Sequence, residues 1–141
     1  MIIATNALAS IKNAEELELA LNTFIDSVDN DTGNHELKML YDYTMVLPET
    51  YYGEGSYEKW IRVGWVLRNT SSKLLIVWIA FSAKSSTFQF NSIPDLCNRW
   101  QGFDIRLKDG LTKLSLIHWA KTDAYEEYQN VRKNTIDYYV E

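Results

Sequence analysis

The side chains with the clearest potential for chemistry are the acidic ones of the segment DNDTGN. Asp29, Asp31 and Gly33 resemble part of a calcium-binding loop, in which carboxylates and backbone carbonyls surround the ion. A loop of that kind beginning at Asp29 requires glycine at its sixth position and glutamate at its twelfth. Asn34 and Leu40 occupy those positions, so the sequence predicts no calcium site here.

Other patterns that support catalysis are missing from the sequence. Asp29 and Asp31 share a loop, whereas a metal-holding carboxylate pair needs a rigid strand to keep two metals about 4 Å apart. There is no GxxxxGK[ST] phosphate loop and no GxGxxG turn after a strand. Cys97 and two well-separated histidines lack the spacing of a zinc site. We therefore expect no catalytic residue, no metal site and no cofactor.

A segment in the middle of the chain, SYEKWIRVGWVLRNT, combines aromatic and basic side chains. Trp60, Val63, Gly64 and Leu67 recur at i, i+3, i+4 and i+7, which predicts a helix with one apolar stripe, and Ser56 is predicted as its N-cap. Glycine in a helix interior costs about 1 kcal/mol relative to alanine. Its place on the stripe therefore predicts that another backbone or ring packs closely there.

The same helix carries cations on its other faces. Arg62 points away from the stripe, and Arg68 shares a second face with Ile61 and Trp65. Because apolar residues occupy more than one side, we expect this helix to lie in the middle of a small bundle or to have a partner. The tryptophans of the chain are expected mainly in the core, with base stacking as the alternative.

The net charge of −5 is unevenly distributed along the chain. Residues 1–54 hold ten acidic and two basic side chains, residues 55–121 hold four acidic and ten basic, and residues 122–141 hold five acidic and two basic. A basic middle region between acidic flanks predicts a surface that contacts phosphate. The alternative is that the middle region binds its own acidic flanks.

Helical periodicity extends over most of the chain. Residues 14–28 and 35–46 predict two amphipathic helices. Residues 74–81 are all apolar and fit a helix or a buried strand, but the absence of an alternating partner strand favours a helix. Pro94 opens another helix, and residues 122–141 predict a last, tyrosine-rich one. The predicted fold class is therefore all-α, a compact domain of about five to seven helices.

The segment GLTKLSLIHWAK predicts a helix that begins after an N-cap at Thr112. It resembles the second helix of a helix-turn-helix motif, in which a helix N-terminus beside a lysine, here Lys113, would bind phosphate. Its histidine is expected to be buried, since the residues around it are apolar. One face of this helix is predicted to hold Leu114, Ile117, His118 and Lys121.

Composition places the chain in a broad class. A length of 141 residues is enough for one domain with a real core, and 46% hydrophobic residues exclude a wholly disordered protein. The single cysteine, Cys97, favours an intracellular, reducing compartment, which is the cytoplasm or the nucleus. No apolar run reaches the about 18 residues of a membrane span, and the first ten residues do not resemble a signal peptide.

Three segments, taken in order, resemble the second family of primase C-terminal domains. They are LPETYYGEGSYEKWIRVGWVLRNTSSKLLIVWIAFSAKSS, IPDLCNRWQGF and GLTKLSLIHWAK. The shared pattern is a leucine and a tyrosine before a Trp-Ile-x-Val/Ile-Gly-x-x-Leu helix, then a Trp-bearing helix, a Trp-plus-Phe segment, and a Gly-Leu-Thr start to a helix with Trp-Ala-Lys. The matching residues, which span 47–121, are Leu47, Tyr51, Trp60, Ile61, Val63, Gly64, Leu67, Trp78, Trp100, Phe103, Gly110, Leu111, Thr112, Trp119, Ala120 and Lys121.

The resemblance implies an α-helical, non-catalytic linker domain of viral or mobile-element primase–helicases, of the poxvirus and giant-virus type. Single-stranded or primer–template DNA and the primase catalytic and helicase domains are then the expected partners. The expected organisation is a helical N-terminal segment over 1–46, the primase C-terminal-like domain over 47–121 and a helix packed on it over 122–141. Candidate nucleic-acid-binding residues are Lys59, Arg62, Arg68, Arg99, Arg106, Lys108, Lys113 and Lys121.

Two functions from different classes are therefore open. The first is an accessory module that contacts the nucleic-acid backbone during DNA replication. The second is a purely structural adaptor or oligomerisation module, in which acidic residues 1–54 cover the basic middle region. Phosphate contacts make binding strongly dependent on salt, so a salt titration separates the two.

Overall fold

The computed structural model describes residues 5–29, 35–103 and 112–140, and every regular element within them is helical. The predicted all-α class is confirmed. Eight α-helices are described, one more than the upper predicted number, because α1 is under two turns long and leaves no periodic pattern. The helices are α1 Thr5–Ala9, α2 Ala14–Asp29, α3 His35–Met45, α4 Tyr57–Thr70, α5 Leu75–Ser82, α6 Ile93–Gly102, α7 Lys113–Asp123 and α8 Tyr125–Val140. Short 3₁₀ turns cover Glu49–Tyr51, Ser72–Leu74 and Phe90–Ser92.

Helix α5 lies at the centre of the described fold. All eight of its residues are buried, and α2, α3, α4 and α6 pack around it. A helix that is apolar on every side must be enclosed on every side, which explains why its sequence has no amphipathic pattern. The prediction of a helix over residues 74–81 is confirmed.

Helix α4 packs against α5 on one side and α7 on another. Val63, Gly64 and Leu67 of the predicted stripe are buried, and so is Ile61 on the second face. The expected position in the middle of a bundle is confirmed. The expected N-cap bond is wrong, because the Ser56 hydroxyl donates to the Gly53 carbonyl at 2.6 Å and accepts no helix N–H.

Helix α7 begins as predicted but presents a different face to the core. The Thr112 hydroxyl accepts from the Leu114 N–H at 3.2 Å, and Ser115 completes a capping box. The buried residues are Leu116 and Ala120, whereas Leu114 and His118 are exposed. Residues 114, 117, 118 and 121 share one face of the observed helix, but the stripe through 116 and 120 is the one that meets α3 and α4. The prediction of a buried histidine is therefore wrong.

One hydrophobic core joins the whole described chain. It includes Leu8 of α1, Phe24 of α2, Leu40 of α3 and Val131 of α8 together with α4 and α5. The segments on both sides of the middle region thus bury apolar side chains in the same cluster. Burial of such a cluster is the main favourable term in folding a chain of this length.

Candidate nucleic-acid interface

Gly64 lets two helices approach closely at an aromatic ring. A Cβ atom on this glycine would lie 3.0 Å from Cζ2 of Trp78 and 2.8 Å from Cε2, and the shorter distance is one that real Cβ atoms essentially never show. Trp78 is fully buried. The prediction that a ring packs against the glycine is confirmed, and the ring is the Trp78 indole of α5.

Trp60 is held in a fixed position by Trp78 and Ser82. The two indole rings stack with centroids 4.7 Å apart and planes 25° apart. Trp60 Nε1 donates to the Ser82 hydroxyl at 2.7 Å, and Trp78 Nε1 donates to the Trp60 carbonyl at 3.3 Å. These contacts fix the orientation of a ring that is only half-buried.

An open groove of about 710 Å³ begins at Trp60. It lies between the start of α4, the end of α5 and the first turns of α6, with the Tyr57, Phe88 and Trp60 rings in its lining. Polar lining comes from Asp95, Arg99 and Asn98 of α6. Hydroxyl groups are contributed by Ser56, Ser82, Ser85, Thr87 and Ser92.

Arg99 is the predicted cation that the structure brings to this groove. Its guanidinium carbon lies 5.8 Å from the Tyr57 ring centroid and 6.0 Å from that of Trp60, within range of a cation–π contact. Its Nη1 donates to the Tyr57 hydroxyl at 3.3 Å. A guanidinium has five N–H donors, so this exposed side chain keeps donors for a ligand.

The other predicted cations lie elsewhere. Arg68 Nε donates to the Trp100 carbonyl at 3.2 Å, and Lys59 Nζ lies 5.0 Å over the Tyr51 ring. Lys113 forms an ion pair with Glu36. The exposed residues Arg62 and Lys121 contribute no groove lining. Outside the described residues lie Arg106, Lys108, Gly110 and Leu111.

Most described residues of the motif are buried in the core or packed against it, whereas Thr112 and Lys121 are exposed. Three of the motif residues, and Trp65 with them, are half-buried and pack on the core. The expectation that tryptophans are mainly core is therefore confirmed for Trp78 and Trp100, and Trp60, Trp65 and Trp119 each keep an exposed part. The buried motif residues are Leu47, Tyr51, Ile61, Val63, Gly64, Leu67, Trp78, Trp100 and Ala120.

A hydrogen bond that the sequence did not predict joins the 3₁₀ turn before α4 to the end of α7. The Tyr51 hydroxyl donates to the Asp123 carboxylate, and the Tyr51 ring lies 6.2 Å from that of Trp119. Burial, the hydrogen bond and the carboxylate charge together raise the pKa of Tyr51. These residues are 72 positions apart, so no local pattern signals their contact.

Sequence reasoning also missed Tyr57, Phe88 and Asp95 as groove residues. Tyr57 begins α4, Phe88 lies in the loop before α6, and Asp95 lies in the first turn of α6. The one feature of the sequence that could have indicated the groove is Tyr57, an aromatic residue directly after the predicted N-cap at Ser56. Across the described ranges, no group of three or more His, Cys, Asp or Glu is placed to hold a metal, and no helix is long and apolar enough to cross a membrane.

Comparison with known protein families identifies a match. Residues 42–120, a little over half of the chain, match the family described as Primase C terminal 2. The matched range covers α4, α5 and α6 completely, most of α7, and every described residue that lines the groove. No curated protein and no solved structure matches the chain.

Proposed function

The chain belongs to the Primase C terminal 2 family, and on that premise we propose that it is a non-catalytic accessory domain of a DNA primase–helicase from a virus or mobile element. It contacts the backbone of single-stranded or primer–template DNA and links the primase and helicase domains. The primase carboxylates and the ATPase loop then lie in other parts of the assembly.

The observation that carries this proposal is the position of Arg99. Its exposed guanidinium lies against the Tyr57 and Trp60 rings at the edge of an open groove. Hydrogen-bond donors that can bind phosphate are thus placed beside aromatic rings. This combination of cation and stacking surface is typical of proteins that bind single strands without reading sequence. Arg62 and Lys121 supply further exposed positive charge outside the groove.

The overall charge limits how tightly DNA binds. At a net charge of −5, repulsion from the acidic flanks opposes the attraction at Arg99. Non-specific DNA binding ordinarily has a Kd of about 10⁻⁴–10⁻⁶ M at physiological salt. We expect the isolated chain to lie at the weak end, with tighter binding in the full primase–helicase because linked modules raise the effective concentration.

A structural adaptor is the second candidate function. It is favoured by the ion pair between Lys113 of α7 and Glu36 of α3, in which the acidic N-terminal region covers a cation of the basic middle. Exposed pairs of this kind contribute about 1 kcal/mol or less, so the pair leaves Lys113 able to exchange partners. In the adaptor function, the basic side chains of the middle region would bind acidic protein side chains instead of phosphate.

Fluorescence anisotropy with a labelled single-stranded oligonucleotide tests the proposal. Arg62→Glu, Arg99→Glu and Lys121→Glu in one chain should weaken binding at low salt. They should also flatten the plot of log affinity against log salt by about 0.7 for each phosphate that the variant no longer neutralises. Lys133→Glu on α8 is the control, because it reverses an exposed charge outside the basic middle.

The adaptor function makes the opposite prediction. Binding that is absent at low salt would contradict DNA contact, and binding that survives all three reversals would contradict contact through these cations. The same variants would then be used in pull-downs with the primase and helicase domains. Circular dichroism checks that each variant is folded, since exposed charges change stability by only about 0.5 kcal/mol.

A further inference from the structure

The groove beside α4 has a shape and lining suited to one small planar group. Its volume of about 710 Å³ lies within the roughly 300–1,000 Å³ of small-ligand sites. Such sites combine apolar and aromatic walls with a few placed polar groups, and here the walls are Tyr57, Trp60 and Phe88. An unpaired base fits this description, whereas a base inside a duplex has both faces covered by its neighbours.

Tyr57 and Trp60 provide the stacking surface. Tyr57 is 57% exposed, and its ring centroid lies 5.9 Å from that of Trp60. Because Trp78 and Ser82 hold the Trp60 indole, this part of the stacking surface is ordered before any ligand arrives. A pre-ordered surface avoids the entropic cost of immobilising side chains on binding.

Asp95 gives the groove a hydrogen-bond acceptor opposite in charge to Arg99. It lies in the first turn of α6, one turn before Arg99 on the same side of the helix. Within the part of the chain that the structure describes, its carboxylate forms no hydrogen bond or ion pair. A carboxylate accepts from the amino group of cytosine but repels the carbonyl oxygen that thymine and uracil present at the same position.

We propose that the groove binds one unpaired nucleotide of a single strand, with its base against Tyr57 and Trp60 and its phosphate at Arg99. Asp95 accepts from the amino group of the base and so selects cytosine over thymine or uracil. This inference rests on the proposed function and adds base selection to it. Backbone contact alone gives no preference among bases.

Anisotropy with oligo-dC and oligo-dT of equal length tests the selection. The wild-type chain should bind oligo-dC about fivefold more tightly, at the low end of what a base-edge contact discriminates. Asp95→Asn should bring the two affinities within about twofold, because the amide offers both a donor and an acceptor. Glu18→Gln removes an exposed carboxylate of α2 outside the groove and should leave the preference intact.

Stacking is tested separately at Tyr57. Tyr57→Leu should weaken binding of both oligonucleotides by about fivefold or more, and Tyr57→Phe should restore it. Tyr125→Leu is the matched control, because this tyrosine of α8 is 53% exposed but lies outside the groove. Because the proposed contacts are to base and phosphate, oligo-C RNA should bind as tightly as oligo-dC. A double-stranded form of the same oligonucleotide should bind more weakly, since its bases are paired and stacked.

Several results would overturn the inference while leaving the proposed function standing. These are equal affinity for oligo-dC and oligo-dT, a preference that survives Asp95→Asn, or equal weakening by Tyr57→Leu and Tyr125→Leu. Failure to bind any oligonucleotide at low salt would overturn both. Dimerisation that Tyr57→Leu and Asp95→Asn abolish would assign the groove to a second copy of the chain.

Discussion

At the scale of single residues, the contact between Gly64 and Trp78 determines how α4 and α5 meet. The glycine gives up helix propensity so that an indole can lie against the backbone, and that indole supports Trp60 at the groove. The contact connects an internal packing choice with the surface proposed to bind nucleic acid. The loss of helix propensity at Gly64 and the gain from packing against Trp78 oppose each other in the free energy of unfolding.

We predict that Gly64→Ala destabilises the protein. Alanine favours a helix by about 1 kcal/mol, but its Cβ would overlap the buried Trp78 ring, and overpacking costs about 1–3 kcal/mol. The expected net destabilisation is up to about 2 kcal/mol in denaturant unfolding, read from the midpoint at unchanged slope. Gly102→Ala, where nothing lies within 4 Å of the new Cβ, should be neutral or slightly stabilising. Equal effects at both positions would contradict the close approach.

At the scale of elements, the helices were predictable where the signal is local. The period of α2 and α4 and the apolar run of α5 are properties of neighbouring residues, so the sequence alone predicts them. The buried side of α7 could not be predicted in this way, because apolar residues lie on two of its faces. Leu114 and Ile117 are on one, and Leu116 and Ala120 are on the other. The choice between those stripes depends on α3 and α4, which lie far along the chain.

The two predicted helix caps provide a matched test. Thr112→Ala should cost about 0.5–2 kcal/mol of stability, because it removes the acceptor for the Leu114 N–H at the start of α7. Ser56→Ala should cost less, since its hydroxyl accepts no helix N–H. Thermal or denaturant unfolding compares the two, and Thr112→Ser should retain most of the wild-type stability. A larger destabilisation at Ser56 than at Thr112 would contradict the observed caps.

The contact between Tyr51 and Asp123 predicts how stability depends on pH. Burial first, then the hydrogen bond to Asp123 and its charge, raise the pKa of the Tyr51 phenol above its usual value of about 10. A raised folded-state pKa contributes stability that is present below the unfolded-state pKa and is lost as pH rises beyond it. The unfolding free energy should therefore fall above about pH 10.

Tyr51→Phe isolates this contribution. The variant should be less stable at neutral pH by about 1.5–3 kcal/mol, the range for a hydrogen bond to a charged group. Its decline above about pH 10 should be shallower than that of the wild type. Some decline should remain, because burial also raises the pKa of Tyr41 and Tyr43. Parallel pH profiles for the two proteins would show that Tyr51 does not contribute.

At the scale of the whole molecule, the groove depends on contacts between distant segments. Arg99 reaches a tyrosine 42 positions earlier in the chain, and the groove lining extends from residue 52 to residue 99. Composition and charge identified the basic middle region, but they gave no indication that one cation would lie at the groove while Lys113 pairs with Glu36. Long-range packing, which periodicity does not encode, selects among the candidate cations.

The location of DNA contact is tested most directly by nuclear magnetic resonance. Spectra of the ¹⁵N-labelled chain would be recorded at low salt while a single-stranded oligo-dC is added. We predict that the largest shifts occur at the Trp60 indole N–H and at the backbone amides of Gly53, Gly55 and Arg99, which line the groove. Shifts confined to α8 or α2, or no shifts at all, would contradict binding at this groove.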